Sequence, residues 1–344
     1  MIVRDSAAIF RSLNGILNVY KPAGISVKRT TNAIITNLCK DLNQLSVREP
    51  RQRLSFEKTA EDSFALDVVP DIADDIRVVG ERHQIADFKC QPAITLGHHT
   101  SGVLLLGLNS GTRDAFKIRI NRPVRVYRVS GRFGKATETH FSNSRIIARS
   151  SYGHVSHGKI MGLLSSLQAS HQRKMFELAG VDIQTEAAFN LAKKGTIRPA
   201  SSELPVIYGI TLVDFTRPNF TLEIHALNEN EDYLATLVHE IGLDLRSVAH
   251  CTGIRCIRSG YFSHEQSLLR HNWTLPDIVK NLKENSVIIH ENPSIFRQES
   301  SALVDIEAQN PDNSYQGQNG ININQITEKS ALDPPEQIDL QTFR

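Results

Sequence analysis

The run Ser101-Gly102-Val103-Leu104-Leu105-Leu106-Gly107 constrains the fold more than any other stretch of this chain. Four consecutive large apolar side chains closed at each end by glycine are costly to leave in water. A run this short predicts a buried strand. The 344 residues are 40% hydrophobic, which provides for a sizeable core in one large domain or two ordinary ones. No apolar run approaches the ~20 residues of a membrane-crossing helix, so no membrane insertion is expected.

The neighbouring segments read as alternating strands and helices. Residues 15–20 (Gly-Ile-Leu-Asn-Val-Tyr) predict a strand, followed by a turn at Lys21-Pro22-Ala23-Gly24. Residues 26–39 predict a helix with Ile34, Ile35 and Leu38 at helical spacing. A helix is expected over 112–120 with Thr112 as its N-cap. Over 124–131 the residues alternate: Arg125, Tyr127 and Val129 share one face, Val124, Val126 and Arg128 the other. Helices are expected over 161–169, 172–179 and 185–194, and strands over 206–215 and 219–226, joined at Arg217-Pro218. Residues 232–243 predict a helix whose apolar face is Leu234, Leu237, Val238 and Ile241.

Two regions lack this patterning. Residues 46–88 are acid-rich in their second half and read as a long insertion with little core of its own. Residues 294–344 accumulate Asn, Gln, Ser and Asp and read as a disordered tail. The domain between is expected to span 15–285, preceded by a separate 1–14 segment. That segment carries Arg4 and Arg11 among small and apolar residues and is weakly similar to a mitochondrial presequence, interrupted by Asp5.

The formal net charge of +2 hides a local asymmetry. Residues 113–149 hold ten basic residues and two acids, a local excess of +8. Charge alone leaves two readings open, a surface for a polyanion or a solvated basic face. Cys39, Cys90, Cys251 and Cys256 have no CxxC spacing and read as reduced thiols. His98 and His99 are adjacent, and His154 and His157 have no second ligand pair, so no metal site is expected.

Four segments together resemble the TruB family of RNA pseudouridine synthases. They are Gly-Ile-Leu-Asn-Val-Tyr-Lys21-Pro22-Ala-Gly24, Thr100-Ser101-Gly102-Val103-Leu-Leu-Leu-Gly107, Arg125-Val126-Tyr127-Arg128-Val129, and Leu234-x-x-Leu237-Val238-His239-Glu240-Ile241-Gly242-Leu243. The runs Leu237-Val-His-Glu-Ile-Gly-Leu243, Gly195-Thr-Ile-Arg-Pro199 and Ser170-His-Gln172 are similar to the animal mitochondrial branch, which lacks an appended PUA module. The resemblance implies an α+β pseudouridine synthase fold, a mixed and mostly antiparallel sheet flanked by helices and loops. It implies structured RNA (rRNA, tRNA or mRNA) as partner, a mitochondrial setting near ribosomal RNA assembly proteins, and no metal or other cofactor.

The chemistry implied is cleavage of the uridine glycosidic bond and reattachment of the base through carbon. It needs an ionised aspartate, an arginine from the late helix paired with it, and a tyrosine that stacks on the flipped base. The tyrosine matches Tyr127, and Lys21, Arg125 and Arg128 are the accompanying candidates for RNA binding. For Lys21 and Tyr127 the plainer alternatives are a solvated turn lysine and an ordinary packed strand tyrosine.

Here the sequence departs from the family. The nucleophile position, four residues before Ser101, is Gly97, and the arginine position is Ala235. Three functions are compatible with that departure: an RNA-binding protein with lost or impaired catalysis, an isomerase using a substitute acid, or an interaction scaffold without RNA. A carboxylate within reach of Tyr127 would favour the second.

Overall fold

The glycine-bounded run is a strand at the junction of the main sheet. The computed structural model describes residues 6–45, 52–58, 64–72, 75–178, 180–193 and 205–296, all within a unit spanning Met1–Leu303. In chain order it begins with α1 (Ser6–Ser12), β1 (Gly15–Lys21), α2 (Val27–Asn43), β2 (Gln52–Lys58), β3 (Phe64–Pro70) and α3 (Ile76–Val79). Next come β4 (Cys90–Pro92), β5 (Thr100–Leu108), α4 (Thr112–Asn121), β6 (Arg125–Phe133), β7 (Lys135–Thr137), β8 (Ile146–Arg149), α5 (His157–Leu178) and α6 (Glu186–Lys193). The remainder is β9 (Val206–Thr216), β10 (Asn219–Leu227), α7 (Glu231–Asp244), β11 (Ala249–Ser259), β12 (Phe262–Ser263) and α8 (Leu275–Glu291).

The main sheet runs β1-β5-β11-β6-β10-β9, with β4 added beside β5 and β12 beside β11. Its pairings are antiparallel except β5 with β11, which are parallel. The fold is therefore α+β with a mixed, mostly antiparallel sheet, as expected. Val103 to Leu106 are at most 3% exposed. Burial of such a side chain contributes about 1.5–3 kcal/mol each. Gly102 enables the parallel seam: it lies at φ +114, and a Cβ there would overlap the backbone carbonyl of Cys256. On β1 the cover is α8, fixed by a buried amide chain. Asn281 accepts from the Asn18 backbone N–H at 2.9 Å, and Asn285 donates to the carbonyl of Ile16 at 2.9 Å.

Several expectations change in detail. The two helices expected over 161–169 and 172–179 are one, α5, because Ser170-His171-Gln172 contains no residue that stops a helix. The N-cap of α4 is Gly111, and Thr112 instead donates its hydroxyl back to the carbonyl of Asn109. The segment expected to stand apart at 1–14 belongs to the domain from Ser6 onward. Leu13 is fully buried, and Phe10 packs on His83 and Phe88. The insertion holds a hairpin, β2–β3, whose pairing is confined to itself. Leu54, Phe56, Leu66 and Val68 on it are exposed. The tail expected over 294–344 lies, beyond Phe296, outside the described residues.

Candidate active site

Tyr127 and Gly97 meet in one cavity. It has a volume of about 310 Å³ and lies between the 94–100 segment, β6 and the start of α7. The strand alternation sets its floor. Arg125 and Tyr127 share the inner face of β6, and the arginine is buried with the tyrosine.

Arg125 joins three segments. Its Nε lies 2.5 Å from Glu229 Oε1, Nη2 donates to the Glu229 carbonyl at 3.0 Å, and Nη1 donates to the Thr95 carbonyl at 3.4 Å. Burial opposes its charge, and the Glu229 carboxylate counters this; the pKa of Arg125 is raised. The guanidinium also sits 5.7 Å from the centre of the Tyr127 ring. Burial holds the Tyr127 phenol well above its ordinary range, partly countered by Arg125, so it is a neutral hydroxyl at physiological pH.

The start of α7 delivers two carboxylates. Asn230 caps the helix by accepting from the Tyr233 N–H at 2.7 Å, which fixes Glu231 in the first turn. An acid there is favoured by the positive end of the helix. The Glu231 carboxylate accepts the Thr100 N–H at 2.6 Å and the Thr100 hydroxyl at 2.7 Å. It passes so close to Gly97 that a Cβ at that position would overlap its side chain. Residue 97 is compatible with this arrangement only as glycine.

Lys21 completes the network from behind. It is fully buried, and its ammonium donates to the carbonyls of Thr100 (2.7 Å), Pro22 (3.2 Å) and His98 (3.3 Å). Burial lowers its pKa to about 8, against the opposing pull of Glu231.

Gly97, Tyr127 and Arg125 thus line one cavity, while the other sequence candidates lie elsewhere. Lys21, expected to bind substrate, spends its donors on the loop before β5. Arg125, also expected to meet RNA, is enclosed and paired with Glu229. Arg128 is exposed on the opposite face of β6, with Glu223 at 3.7 Å. Ala235 is 1% exposed in the hydrophobic core and is not among the residues lining the cavity. Arg119, counted in the basic stretch, is likewise engaged by the carbonyls of Pro92 and Ala93.

The sequence reading missed Glu229 and Glu231. Their only signal was position, Glu229 just before and Glu231 at the start of a helix whose first turn favours acids. Among the described residues no group of three His, Cys, Asp or Glu could hold a metal ion, and no helix is long and apolar enough to cross a membrane.

Comparison with known proteins gives the family of the chain. The family described as "TruB family pseudouridylate synthase (N terminal domain)" matches residues 89–230. The chain is 35% identical over 283 residues to Pseudouridylate synthase TRUB2, mitochondrial, of Xenopus tropicalis, covering 80% of this chain and 86% of that one. It is 33% identical over 283 residues to the protein of the same name from Homo sapiens, covering 79% and 84%. Among solved structures, the archaeal box H/ACA sRNP Nop10–Cbf5 complex aligns at 17% identity and a TM-score of 0.43. That alignment covers 86% of this chain, which spans 63% of the matched one. Identity and coverage of the relatives together show that the chain belongs to the TruB family of pseudouridylate synthases.

Proposed function

We propose that this protein works in mitochondria, binds structured RNA, and has lost or impaired uridine isomerisation. The mitochondrial setting follows the names of its relatives. One observation carries the catalytic part. The space that a nucleophilic aspartate at position 97 would occupy is crossed by the Glu231 side chain, and Thr100 holds one oxygen of that carboxylate with two hydrogen bonds. A carboxylate fixed in this way is constrained in its approach to a sugar carbon, and attack on that carbon needs close, aligned geometry. Ala235 adds no cation. What remains is a cavity with a neutral tyrosine, three carboxylates and a buried arginine. The basic residues Arg113, Lys117, Arg128, Arg132 and Lys135 support attraction to a polyanion.

A second reading rests on the same geometry. Glu231 reaches the Tyr127 cavity from α7, so it is the candidate substitute acid for an isomerase. Its partners would be Thr100 and, through the Thr100 backbone, Lys21. Glu231→Gln separates the two: in the first reading it leaves RNA binding and product formation unchanged, in the second it abolishes product alone.

Filter binding with a uridine-containing stem-loop RNA tests the shared part. Affinity is expected to fall steeply as salt rises, because bound cations are released from the RNA on association. Absence of binding, or binding indifferent to salt, would contradict this proposal and favour a scaffold that does not touch RNA.

A further inference from the structure

The segment 97–101 has two sides. Gly97 and Thr100 face the Tyr127 cavity, while His99 and Ser101 face a groove of about 410 Å³ along the short β5–β11 seam. We propose that this groove binds the phosphodiester backbone of RNA, next to the nucleotide that approaches the Tyr127 cavity. The proposal rests on the RNA-binding reading above and adds a site to it.

Charge separates the two spaces. The cavity is lined by Glu229, Glu231 and Asp232, whereas no carboxylate lines the groove. Arg128 on β6 and Arg255 on β11 stand directly opposite each other in the sheet, and both line the groove. Like charges placed directly across a ladder are destabilising unless something negative lies between them. Within the protein that compensation is slight. Arg255 makes no ion pair among the described residues. The Glu223 that approaches Arg128 at 3.7 Å also lies 3.3 Å from His225. A phosphate would supply the missing charge, gripped by the Arg255 guanidinium from one strand and, from the other, by Arg128, which also faces Glu223.

The rest of the lining suits a nucleotide rather than a bare anion. His99 packs on Phe141 at 4.8 Å with a 38° tilt, and its half-exposed ring offers a face on which a base can stack. Ser130 and Thr252 add hydroxyls along the floor. The five residues of the shared wall span at most about 17 Å. A short single-stranded stretch can therefore reach both sides, with its sugar and base toward the acidic cavity and its phosphate toward the basic groove.

The experiment is fluorescence anisotropy of the full chain with a fluorescein-labelled, uridine-containing stem-loop RNA, titrated at several salt concentrations. The double variant Arg128→Gln/Arg255→Gln is expected to weaken binding about ten-fold and to reduce the salt slope by about 0.7 to 1.4, for one or two lost phosphate contacts. The surface variant Lys280→Gln/Lys283→Gln on α8 is expected to change affinity less than about two-fold. Unchanged RNA affinity in the groove variant, with normal binding by the unmodified protein, overturns the groove. No binding by the unmodified protein overturns the RNA reading and the groove with it.

Uridine monophosphate distinguishes the ligand source. Failure of millimolar UMP to displace the RNA supports a phosphodiester site, and full displacement overturns it in favour of a free nucleotide. Photo-crosslinking of the unmodified protein to 4-thiouridine RNA does not depend on any variant folding. Adducts on residues 141–143 or 252–255 support the groove, and adducts confined to other peptides overturn it.

Discussion

Replacing Arg125 with methionine removes the charge that joins β6, the 94–97 loop and the turn into α7. Arg125 is 8% exposed and Glu229 5% exposed, so neither partner can turn to water when the other is lost. Removing one member of a buried ion pair costs about 3–5 kcal/mol, because the remaining charge is left without compensation. In a domain of this size each kcal/mol shifts the melting temperature by roughly 2–4 °C, so Arg125→Met should lower Tm by roughly 6–20 °C. Glu229→Gln should act in the same direction. Arg125→Met/Glu229→Met should cost far less than the two single changes summed, since an apolar pair of similar volume needs no compensating charge. Only the Thr95 and Glu229 carbonyls then lose a donor, about 1–3 kcal/mol each. Urea unfolding of the three variants completes a double-mutant cycle. Single costs below about 1 kcal/mol that simply add would refute the claim that this pair holds the floor of the cavity together.

Other consequences are equally specific. Lys21 has a folded pKa of about 8, below its ordinary value near 10.5, so the unfolded chain keeps a proton that the folded chain releases between these limits. Stability from this group should therefore be fully present above about pH 10.5 and lost as pH falls through about 8. The gain is about 2–3 kcal/mol, visible in urea midpoints against pH and absent in Lys21→Met. Gly102→Ala should destabilise by about 2–5 kcal/mol in the same assay, since it meets both a positive φ and the Cys256 carbonyl. Gly97→Asp should lower Tm alone, and Glu231→Gly in the same chain, which removes the overlapping Cβ as well as the carboxylate, should recover much of the loss. A result in which Glu231→Gly fails to rescue would mean that the two side chains do not compete for one space.

The parts of the fold readable from sequence were those governed by local periodicity. The alternation in β6 put Arg125 on the same face as Tyr127 and Val129, and that face is buried. Its fate was already implicit in the pattern, although the basic stretch suggested a solvent-facing arginine. Lys21 was harder, because its burial depends on three carbonyls, two of them supplied by residues 77 and 79 positions away. β11 escaped notice since register shifts beside Gly253 and Arg258 break its alternation. That Gly97 and Ala235 stand at the family's nucleophile and arginine positions is the sequence reading on which the proposed function rests. What lies against residue 97 was not legible, because Glu231 reaches it from more than 130 positions along the chain, and only the packing of α7 brings them together.

Tritium release from RNA labelled at the uridine base carbon tests the central claim most directly. The unmodified protein should bind a TruB-type substrate RNA and release no tritium above the protein-free control, since Glu231 crosses the space that an aspartate at position 97 would occupy. Release that requires the protein, and that disappears in Glu231→Gln while RNA binding persists, would contradict this account and make Glu231 the substitute acid.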